Sequence, residues 1–181
     1  MRIFILIFFM LLTAVHSDNL DQKNKLDKLF KQLAKINNSK TAEQLEKKIW
    51  LIWNQHPNNL KLTDRLELGT ELMHYGNYDY ALEVFNNIIY TDPKWSEAWN
   101  KRATLFFLMK DYKSSLKDID KVLGLEVRHF GALSGQARIY IKLKEYEKAI
   151  LSLKKALEFY PSFRSGELIP EIEKIIKEQI I

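Results

Sequence analysis

Cysteine is absent from the 181 residues of this sequence, and glycine and proline are scarce. The absence of cysteine excludes disulfide bonds, thiolate zinc sites, a cysteine nucleophile and a lipid-modified N-terminal cysteine. The six glycines are scattered, and none of them belongs to a glycine-rich run that could cradle a phosphate group. Nucleotide binding and thiol chemistry are therefore not expected, and an ordinary apolar core must hold the chain together.

Arginine is also in short supply. Of the 28 cationic residues only six are arginine, and the formal net charge of +5 is spread across the chain rather than collected in one basic block. Bidentate contacts to phosphates and base edges favour arginine, and a nucleic-acid interface needs a basic stripe. We therefore do not expect nucleic-acid binding. Apolar residues make up 46% and charged residues 28% of the chain, which is the ordinary globular mix.

The sequence shows no constellation of catalytic or metal-binding residues. Four histidines occur, and His16 falls in the N-terminal leader described below. The other three lack the two-histidine spacing of a helical zinc site: His56, His74 and His129. Acidic residues two positions apart, such as Asp118 and Asp120, point to different faces of a helix and are expected to be solvated. The sequence therefore predicts no enzyme activity, no catalytic residue, no cofactor and no metal site.

An apolar run stands at the N-terminus. Arg2 precedes the almost wholly apolar residues 3–15, a run of 13 residues, whereas a membrane-spanning helix needs roughly 20. The tripeptide that ends at Ser17 is typical of a signal-peptidase site. We predict a signal peptide over residues 1–17, cleavage after Ser17, and a periplasmic or secreted protein with no membrane span after cleavage. The alternative is an uncleaved N-terminal membrane anchor.

From residue 62 onward the chain repeats itself with a period of 34 residues, which gives the segments 62–95, 96–129 and 130–163. Two columns of the aligned segments hold only small residues: Gly69, Ala103 and Ala137, and then Ala81, Ser115 and Ala149. Two other columns hold large apolar or aromatic residues: Tyr78, Tyr112 and Tyr146, and then Phe85, Ile119 and Leu153. This pattern predicts two packed helices in each segment, whose backbones approach each other at the small columns.

These columns resemble the tetratricopeptide repeat (TPR), and the resemblance covers about 100 residues at the spacing of that family. Pro93 and Pro161 close two of the segments, where proline ends a helix, and Val127 stands at the same place in the middle segment. The resemblance implies three helical hairpins: 62–75 with 78–91, 96–109 with 112–125, and 130–143 with 146–159. The implied fold is all-α, an α-solenoid of three TPR hairpins.

Two flanking segments do not follow the repeat register. Residues 18–61 show helical spacing of apolar residues and predict an N-terminal helical hairpin that caps the solenoid. Within this hairpin, Trp50 and Trp53 are expected to bury against the first repeat. Residues 164–181 predict a C-terminal capping helix that begins near Pro170, because the last hairpin of a repeat array needs a cover for its apolar face.

Nearly the whole predicted mature chain is similar to small exported repeat proteins of alphaproteobacteria. The similarity rests on the leader, a leucine-rich helix and three segments: Ile49-Trp50-Leu51-Ile52-Trp53, Ala98-Trp99-Asn100-Lys101-Arg102-Ala103 and Arg128-His129-Phe130-Gly131-Ala132-Leu133. That group is described mainly by its repeats, so this resemblance adds little about function.

The TPR resemblance also implies where a partner would bind. In that architecture the concave face is lined by the first helix of each hairpin, at positions that are not used for packing. Projected onto this sequence, the geometry selects nine groove candidates: Leu66, Thr70, Met73, Asn100, Thr104, Phe107, Ser134, Arg138 and Ile141. We expect Asn100 to hydrogen-bond a peptide backbone, Arg138 to bind a carboxylate and Phe107 to form part of an apolar floor.

The sequence thus predicts an exported, non-catalytic scaffold or adaptor that binds a protein or peptide segment in its concave groove. The second hypothesis is a self-associating structural component of the cell envelope, and hence a homo-oligomer, that assembles through exposed apolar residues. Its candidates are one tryptophan before a predicted helix and four C-terminal isoleucines: Trp95, Ile175, Ile176, Ile180 and Ile181.

Overall fold

A computed structural model of the chain describes residues 20–36 and 39–179. The predicted leader over residues 1–17 and the last two isoleucines, Ile180 and Ile181, lie outside the described residues. Within those residues the chain is all-α, as predicted, and contains no strand. The division of the chain into a leader, an N-terminal hairpin, a repeat array and a cap stays a prediction.

The helices follow one another with short connections. The first, α1, covers residues 20–33. The others are α2 Ser39–Asn54, α3 Leu60–His74, α4 Tyr78–Thr91, α5 Ser96–Leu108, α6 Tyr112–Leu125, α7 Phe130–Lys142, α8 Tyr146–Phe159 and α9 Leu168–Gln179, with a 3₁₀ turn at Arg164–Glu167. The pairs α3–α4, α5–α6 and α7–α8 begin and end within two residues of the three hairpins that the repeat spacing predicts.

The turn inside each repeat hairpin is left-handed and recurs at the same place in every repeat. The φ angle lies between 60° and 79° at three residues that are 34 positions apart: Gly76, Lys110 and Lys144. The residue after each of them donates its N–H to a carbonyl of the preceding helix at 2.8–2.9 Å: Asn77 to Leu72, Asp111 to Phe106 and Glu145 to Tyr140. These bonds satisfy carbonyl groups at the helix end and direct the chain into the antiparallel second helix.

The small columns lie where the two helices of a hairpin approach each other. In the first repeat, a Cβ on Gly69 would lie only 2.6 Å from Cε1 of Phe85, so the glycine makes room for that ring. In the second repeat, the Ser115 hydroxyl donates to the carbonyl oxygen of Ala103 at 2.7 Å. In the third repeat, Ala137 is fully buried. The close approach that these columns predict is therefore present in all three hairpins.

The N-terminal hairpin packs at a different place from the one that the sequence suggested. Trp53 stacks on His129 with ring centroids 4.0 Å apart, and Trp50 packs edge-on against Phe130 at 5.5 Å. The expectation that these tryptophans bury against the first repeat is wrong, because both rings pack on Phe130 of the third repeat and on His129 at the end of the second. The physical reason is Gly131, where a Cβ would lie 2.5 Å from Cη2 of Trp50. The same column holds larger residues in the other two repeats.

One apolar cluster joins the N-terminal hairpin to the third repeat. The hairpin contributes Leu26, Phe30, Leu33, Ala42, Leu45, Ile49 and Trp53, and the repeat contributes Phe130, Leu133, Ala156 and Tyr160. At the far side of the third repeat, α9 buries Ile172 against the α7–α8 hairpin and acts as the predicted capping helix. The third repeat is thus covered on both sides, once by the N-terminal hairpin and once by α9.

Candidate functional site

Helix α2 runs across the repeat array instead of stacking at its end. In the middle of α2, Oε2 of Glu46 accepts a hydrogen bond from the hydroxyl of Tyr160, which lies just beyond the end of α8, at 3.1 Å. Burial and the Glu46 carboxylate raise the pKa of the Tyr160 hydroxyl, which therefore stays a donor. At the end of α2, the carbonyl oxygen of Trp53 accepts a hydrogen bond from the Trp95 indole at 3.0 Å, just before α5. Helix α2 therefore extends from the third repeat to the junction of the first and second repeats.

A cavity of about 330 Å³ lies between α2, α5 and α7. Its walls include five of the nine predicted groove residues: Asn100, Thr104, Phe107, Ser134 and Arg138. Helix α2 adds Glu46 and Trp50 to the lining, which the sequence did not indicate. Ligand pockets in proteins range over about 300–1,000 Å³, so this cavity is a small one.

Asn100 and Thr104 lie one turn apart on α5 at the wall of this cavity. The Nδ2 atom of Asn100 lies 3.2 and 3.3 Å from the two carboxylate oxygens of Glu97 and donates to them. The Thr104 hydroxyl donates to the main-chain carbonyl of Asn100 at 3.0 Å. The Oδ1 atom of Asn100 has no hydrogen-bond partner in the described part of the chain. Asn100 is only 8% exposed, so its Oδ1 atom and the Thr104 hydroxyl oxygen are the acceptors that this wall can offer to the N–H groups of a peptide backbone.

Arg138 is an exposed cation at the rim of the cavity. Within residues 20–36 and 39–179 its guanidinium has no ion-pair partner. The Ser134 and Ser165 hydroxyls lie 2.9 Å apart on the same cavity wall, and the Phe107 and Trp50 rings supply apolar lining. A guanidinium with unused N–H donors can bind a carboxylate through two parallel hydrogen bonds.

The other groove candidates divide between a second cavity and the core. Thr70 and Leu66 border a cavity of about 510 Å³ between α2, α3 and Lys101 of α5. Leu66 is only 2% exposed, so it contributes to packing there and offers almost no contact surface. Met73 and Ile141 are half-buried and pack against the apolar clusters of the first and third hairpins. The structure thus brings five candidates together and places the other four elsewhere.

A fully buried histidine–carboxylate pair lies beneath α2. The Nε2 atom of His129 and Oε2 of Glu97 are 3.0 Å apart, and neither side chain is exposed. Because Nδ1 of His129 accepts the N–H of Ala132 at 3.1 Å, it is Nε2 that donates to Glu97. Burial raises the pKa of Glu97, but the hydrogen bonds from His129 and Asn100, with the charge of Lys101, outweigh it and lower that pKa overall. This pair fixes the start of α7, beside the cavity.

A second histidine–carboxylate pair joins the end of α2 to the first repeat. The Nε2 atom of His56 lies 2.9 Å from Oδ2 of Asp92, and this hydrogen bond lowers the pKa of the Asp92 carboxyl. Trp95 packs edge-on against His56 with ring centroids 5.0 Å apart and is only 6% exposed. Trp95 is therefore part of the joint between α2 and the repeat array, and the expectation that it is exposed for self-association is wrong.

The sequence reasoning missed most of the buried polar contacts around the cavity. Asp118, which was expected to be solvated, is 2% exposed and accepts two hydrogen bonds from Arg102 at 2.7 and 2.8 Å. These two residues are 16 positions apart, the same separation that joins Gly69 to Phe85 across the first hairpin. That spacing could have identified the pair. No comparable signal links Glu97 to His129, which lies 32 positions away at the end of the same segment.

In the ranges 20–36 and 39–179, no group of three or more histidine, aspartate or glutamate side chains is arranged to hold a metal ion. Of the helices formed by those same residues, none combines the length and the apolar character that crossing a bilayer requires.

Comparisons with known proteins agree with this geometry. The family model described as anaphase-promoting complex, cyclosome, subunit 3 matches residues 74–156. A TPR repeat-containing protein of Rhizobium etli is 32% identical over 145 residues, which span 80% of this chain and 71% of that protein. The first TPR domain of Spaghetti bound to an HSP90 peptide matches with a TM-score of 0.62 and 20% identity, over 66% of this chain and 96% of that one. The crystal structure of MamA matches with a TM-score of 0.56 and 19% identity, over 87% of each chain.

Proposed function

The chain belongs to the family of tetratricopeptide-repeat proteins, and from that premise we propose that it is a non-catalytic scaffold which binds a segment of another protein. The observation that carries the proposal is the cavity between α2, α5 and α7, where five predicted groove residues meet two residues of α2. The Spaghetti domain, which has the same repeat fold, is bound to an HSP90 peptide. Peptide binding by such a fold is therefore physically feasible.

The dimensions of the cavity favour a short extended segment as the ligand. A cavity of about 330 Å³ has room for only a few side chains, whereas an α-helix with its side chains is about 10–12 Å across. An extended segment can place one apolar side chain between Trp50 and Phe107 and give its backbone N–H to Oδ1 of Asn100. An acidic side chain or a terminal carboxylate of the same segment then pairs with Arg138.

Capture of partners with matched variants tests this site. The full chain and an Arg138→Glu variant are used to capture proteins from an envelope extract, and the bound proteins are identified by mass spectrometry. Arg65→Glu is the matched control, because Arg65 is also an exposed helical arginine but borders none of the cavities described above. Hydrogen bonds to charged groups contribute about 1.5–3 kcal/mol, so Arg138→Glu is expected to weaken the binding of an acidic segment at least tenfold.

A second pair of variants tests the apolar part of the cavity. Phe107→Ala removes a lining ring, whereas Leu108→Ala truncates the next residue, which is 43% exposed and lies outside the cavity. We expect the first variant to weaken binding and the second to leave it unchanged. Equal binding by the full chain and by both groove variants would exclude this cavity as the working surface.

We place the scaffold outside the cytoplasm, as the leader over residues 1–17 suggests. The intact mass of the protein recovered from a periplasmic fraction distinguishes the two forms. A chain that starts at Asp18 supports cleavage after Ser17, and a full-length chain in the membrane fraction supports the uncleaved anchor.

Self-association is the second candidate function. Tyr80 and Tyr90 of α4 are 68% and 91% exposed, which is unusual for side chains with large apolar surfaces. Light scattering over a range of protein concentrations tests this candidate, and a mass that stays at that of a monomer excludes it.

A further inference from the structure

Most of the net positive charge of this protein falls in its N-terminal hairpin, so the even spread expected above does not hold when the charge is counted segment by segment. Cationic residues occur along the whole chain, but acidic residues offset them in most of it. Residues 20–56 contain eight lysines and four acidic residues, a formal charge of +4 over the hairpin and its exit. Residues 57–181 contain 19 cationic and 18 acidic residues, a formal charge of +1. An anionic partner is therefore attracted to the hairpin first.

The outer side of this hairpin combines lysines with apolar side chains. We call it the lysine-rimmed face, and it consists of Lys25, Lys28, Leu29, Lys48, Leu51 and Ile52. Leu29 and Ile52 are half-buried and line the shallow groove between α1 and α2, and Leu51 is 66% exposed. Apolar side chains between long cationic ones are typical of helices that lie in a membrane interface.

No acidic side chain of the hairpin forms an ion pair with Lys28 or Lys48 within the described ranges. Asp27 bonds to Arg128 at 2.7 Å, and Glu46 accepts the Tyr160 hydroxyl on the cavity side. Asp21 lies 2.6 Å from Lys25 and offsets that one charge. Lys28 and Lys48 have no ion-pair partner in the described ranges, and both are exposed. Two unpaired ammonium groups and the apolar groove between them are therefore available to a ligand.

The face and the candidate groove lie on different sides of α2. Successive residues of an α-helix are about 100° apart, so Lys48 and Ile52 point roughly 200° away from Glu46 and Trp50. Glu46 and Trp50 line the cavity, whereas Lys48 and Ile52 border the outer face. A ligand on the outer face therefore leaves the groove open. Binding at this face does not require a ligand in the groove, and it rests on the proposed function only through the leader over residues 1–17.

The position of the lysine-rimmed face in the sequence indicates which surface it binds. Helix α1 is described from residue 20, five residues after the apolar run over residues 3–15 ends. Five extended residues span at most roughly 17 Å. While that run is inserted in a bilayer, during export or as an anchor, the hairpin is the folded part of the chain that is held nearest to the lipid headgroups. The bilayer is thus the first anionic surface that this cationic face meets.

We propose that the lysine-rimmed face binds the surface of an anionic lipid bilayer, with the lysines at the headgroups and Leu29, Leu51 and Ile52 at the boundary with the acyl chains. Each lysine near an anionic surface contributes about 1 kcal/mol, or about fivefold in the partition coefficient. The three apolar side chains add a contribution that does not depend on lipid charge. The groove would then face away from the membrane, towards its protein partner.

Flotation with lipid vesicles tests the proposal. The protein is purified from a host that exports it, and its intact mass shows whether the leader is present. It is then mixed with vesicles of phosphatidylcholine alone or with about one quarter phosphatidylglycerol. We expect binding to the anionic vesicles that decreases as salt rises, because screening shortens the range of the attraction. No preference for the anionic vesicles overturns the proposal.

Matched variants locate the contact. Lys28→Gln with Lys48→Gln removes the two unpaired charges and is expected to lower the anionic partition coefficient roughly 20-fold. Lys113→Gln with Lys117→Gln removes two exposed lysines from α6 and is expected to have no such effect. Leu51→Ser is expected to weaken binding about tenfold, whereas Leu151→Ser, at a 55% exposed leucine of α8, leaves it unchanged. Equal losses from the α6 lysines, or unchanged binding in the hairpin variants, overturn the assignment of this face.

Discussion

The repeat hairpins and the N-terminal hairpin are each built from two antiparallel helices, but they find their packing partners in different ways. Each repeat hairpin packs on the hairpin that follows it in the chain, and the hydrogen bonds between its two helices join residues 12 to 16 positions apart. The N-terminal hairpin packs on the third repeat. Asp27 bonds to Arg128, 101 residues away, and Glu46 bonds to Tyr160, 114 residues away. Local sequence therefore organises the repeats, whereas the folded array organises the hairpin.

This difference in contact range bears on how the protein unfolds. A repeat array in which each unit contacts only its neighbours can open unit by unit. Helix α2 instead connects the third repeat, through Trp53 and Phe130, to the joint around Trp95 and His56. Because these contacts bridge distant units, we expect the whole chain to unfold in a single cooperative transition.

The largest expected effect comes from removing the ring that joins the two regions. Trp53→Ala is expected to lower the free energy of unfolding by about 3–5 kcal/mol, because it empties a buried site between α2 and α7. Phe85→Ala, in the core of the first repeat, is expected to have an effect of the same size. Urea denaturation followed by circular dichroism measures both variants. Two separate transitions for Trp53→Ala, with the repeat transition unchanged, would show that the hairpin is an independent unit.

Trp53→Phe is the control for that experiment. The indole N–H of Trp53 is buried and has no hydrogen-bond partner in the described part of the chain. Phenylalanine keeps most of the ring contacts and removes this unpaired donor. We therefore expect a loss of less than about 1.5 kcal/mol.

The next largest expected effect is a pH-dependent loss of stability on substitution of Glu97, which pairs with His129 beneath α2. Because the pKa of Glu97 is lowered in the folded state, its contribution to stability is present above the ordinary value of 4.5 and is lost as the pH falls below it. Glu97→Gln keeps the shape but removes the charge that His129 and Lys101 face, and is expected to lower the free energy of unfolding by about 1–3 kcal/mol at pH 7.

The pH dependence separates this role from a simple packing effect. Between about pH 7 and pH 3, the Glu97→Gln variant is expected to lose less stability on acidification than the wild-type protein does. Asp92 has a lowered pKa in both proteins, so its contribution cancels in the comparison. Parallel stability curves for the two proteins would contradict a lowered pKa at Glu97.

The smallest predicted effect is a difference between two glycine-to-alanine variants. One glycine lies inside the first repeat, and the other lies where the third repeat meets the N-terminal hairpin. Gly69→Ala places a Cβ 2.6 Å from Phe85, a ring that is locked in the core, and is expected to destabilise the protein by about 1–3 kcal/mol. Gly131→Ala places a Cβ 2.5 Å from the tip of Trp50, which borders the cavity and has space to move. The better helix propensity of alanine, about 1 kcal/mol, offsets that displacement.

Urea denaturation measures both glycine variants, and tryptophan fluorescence reports the shift of Trp50. We expect little change in stability for Gly131→Ala, together with a changed emission maximum. A loss as large as that of Gly69→Ala would mean that Trp50 is held as firmly as the repeat core, and that the cavity wall is rigid.

The fold of the repeat array could be predicted from the sequence because its determinants are local. The small columns, the tight turns and the closing positions recur every 34 residues and act within one hairpin. Val127, which stands where the other two segments have proline, shows that the closing turn does not require that residue. Glu126 before it has φ −141° and ψ 93°, and Asp92 before Pro93 has φ −137° and ψ 92°. The middle turn thus has the proline-type backbone without a proline.

The candidate site could be predicted only in part. Spacing along α5 and α7 placed five residues on one cavity, because one helical face keeps its residues together. It could not indicate Glu46 and Trp50, since these residues reach the cavity through the path of α2. Leu66 was predicted to line the groove but is almost fully buried. The repeat pattern does not show whether neighbouring side chains cover a groove position.

The sequence by itself determined the all-α class, the period, the helix bounds and the absence of thiol chemistry, because each of these depends on residue type or on spacing within a few turns. Only the tertiary structure decided that the N-terminal hairpin lies on the third repeat, that Trp95 is buried and that the cations of the hairpin face outward. Those outcomes depend on contacts between residues about 100 positions apart. They follow from shape complementarity, because Gly131 leaves space for Trp50 and the ring of Trp53 stacks on His129. The spacing of residues along the sequence does not contain that information.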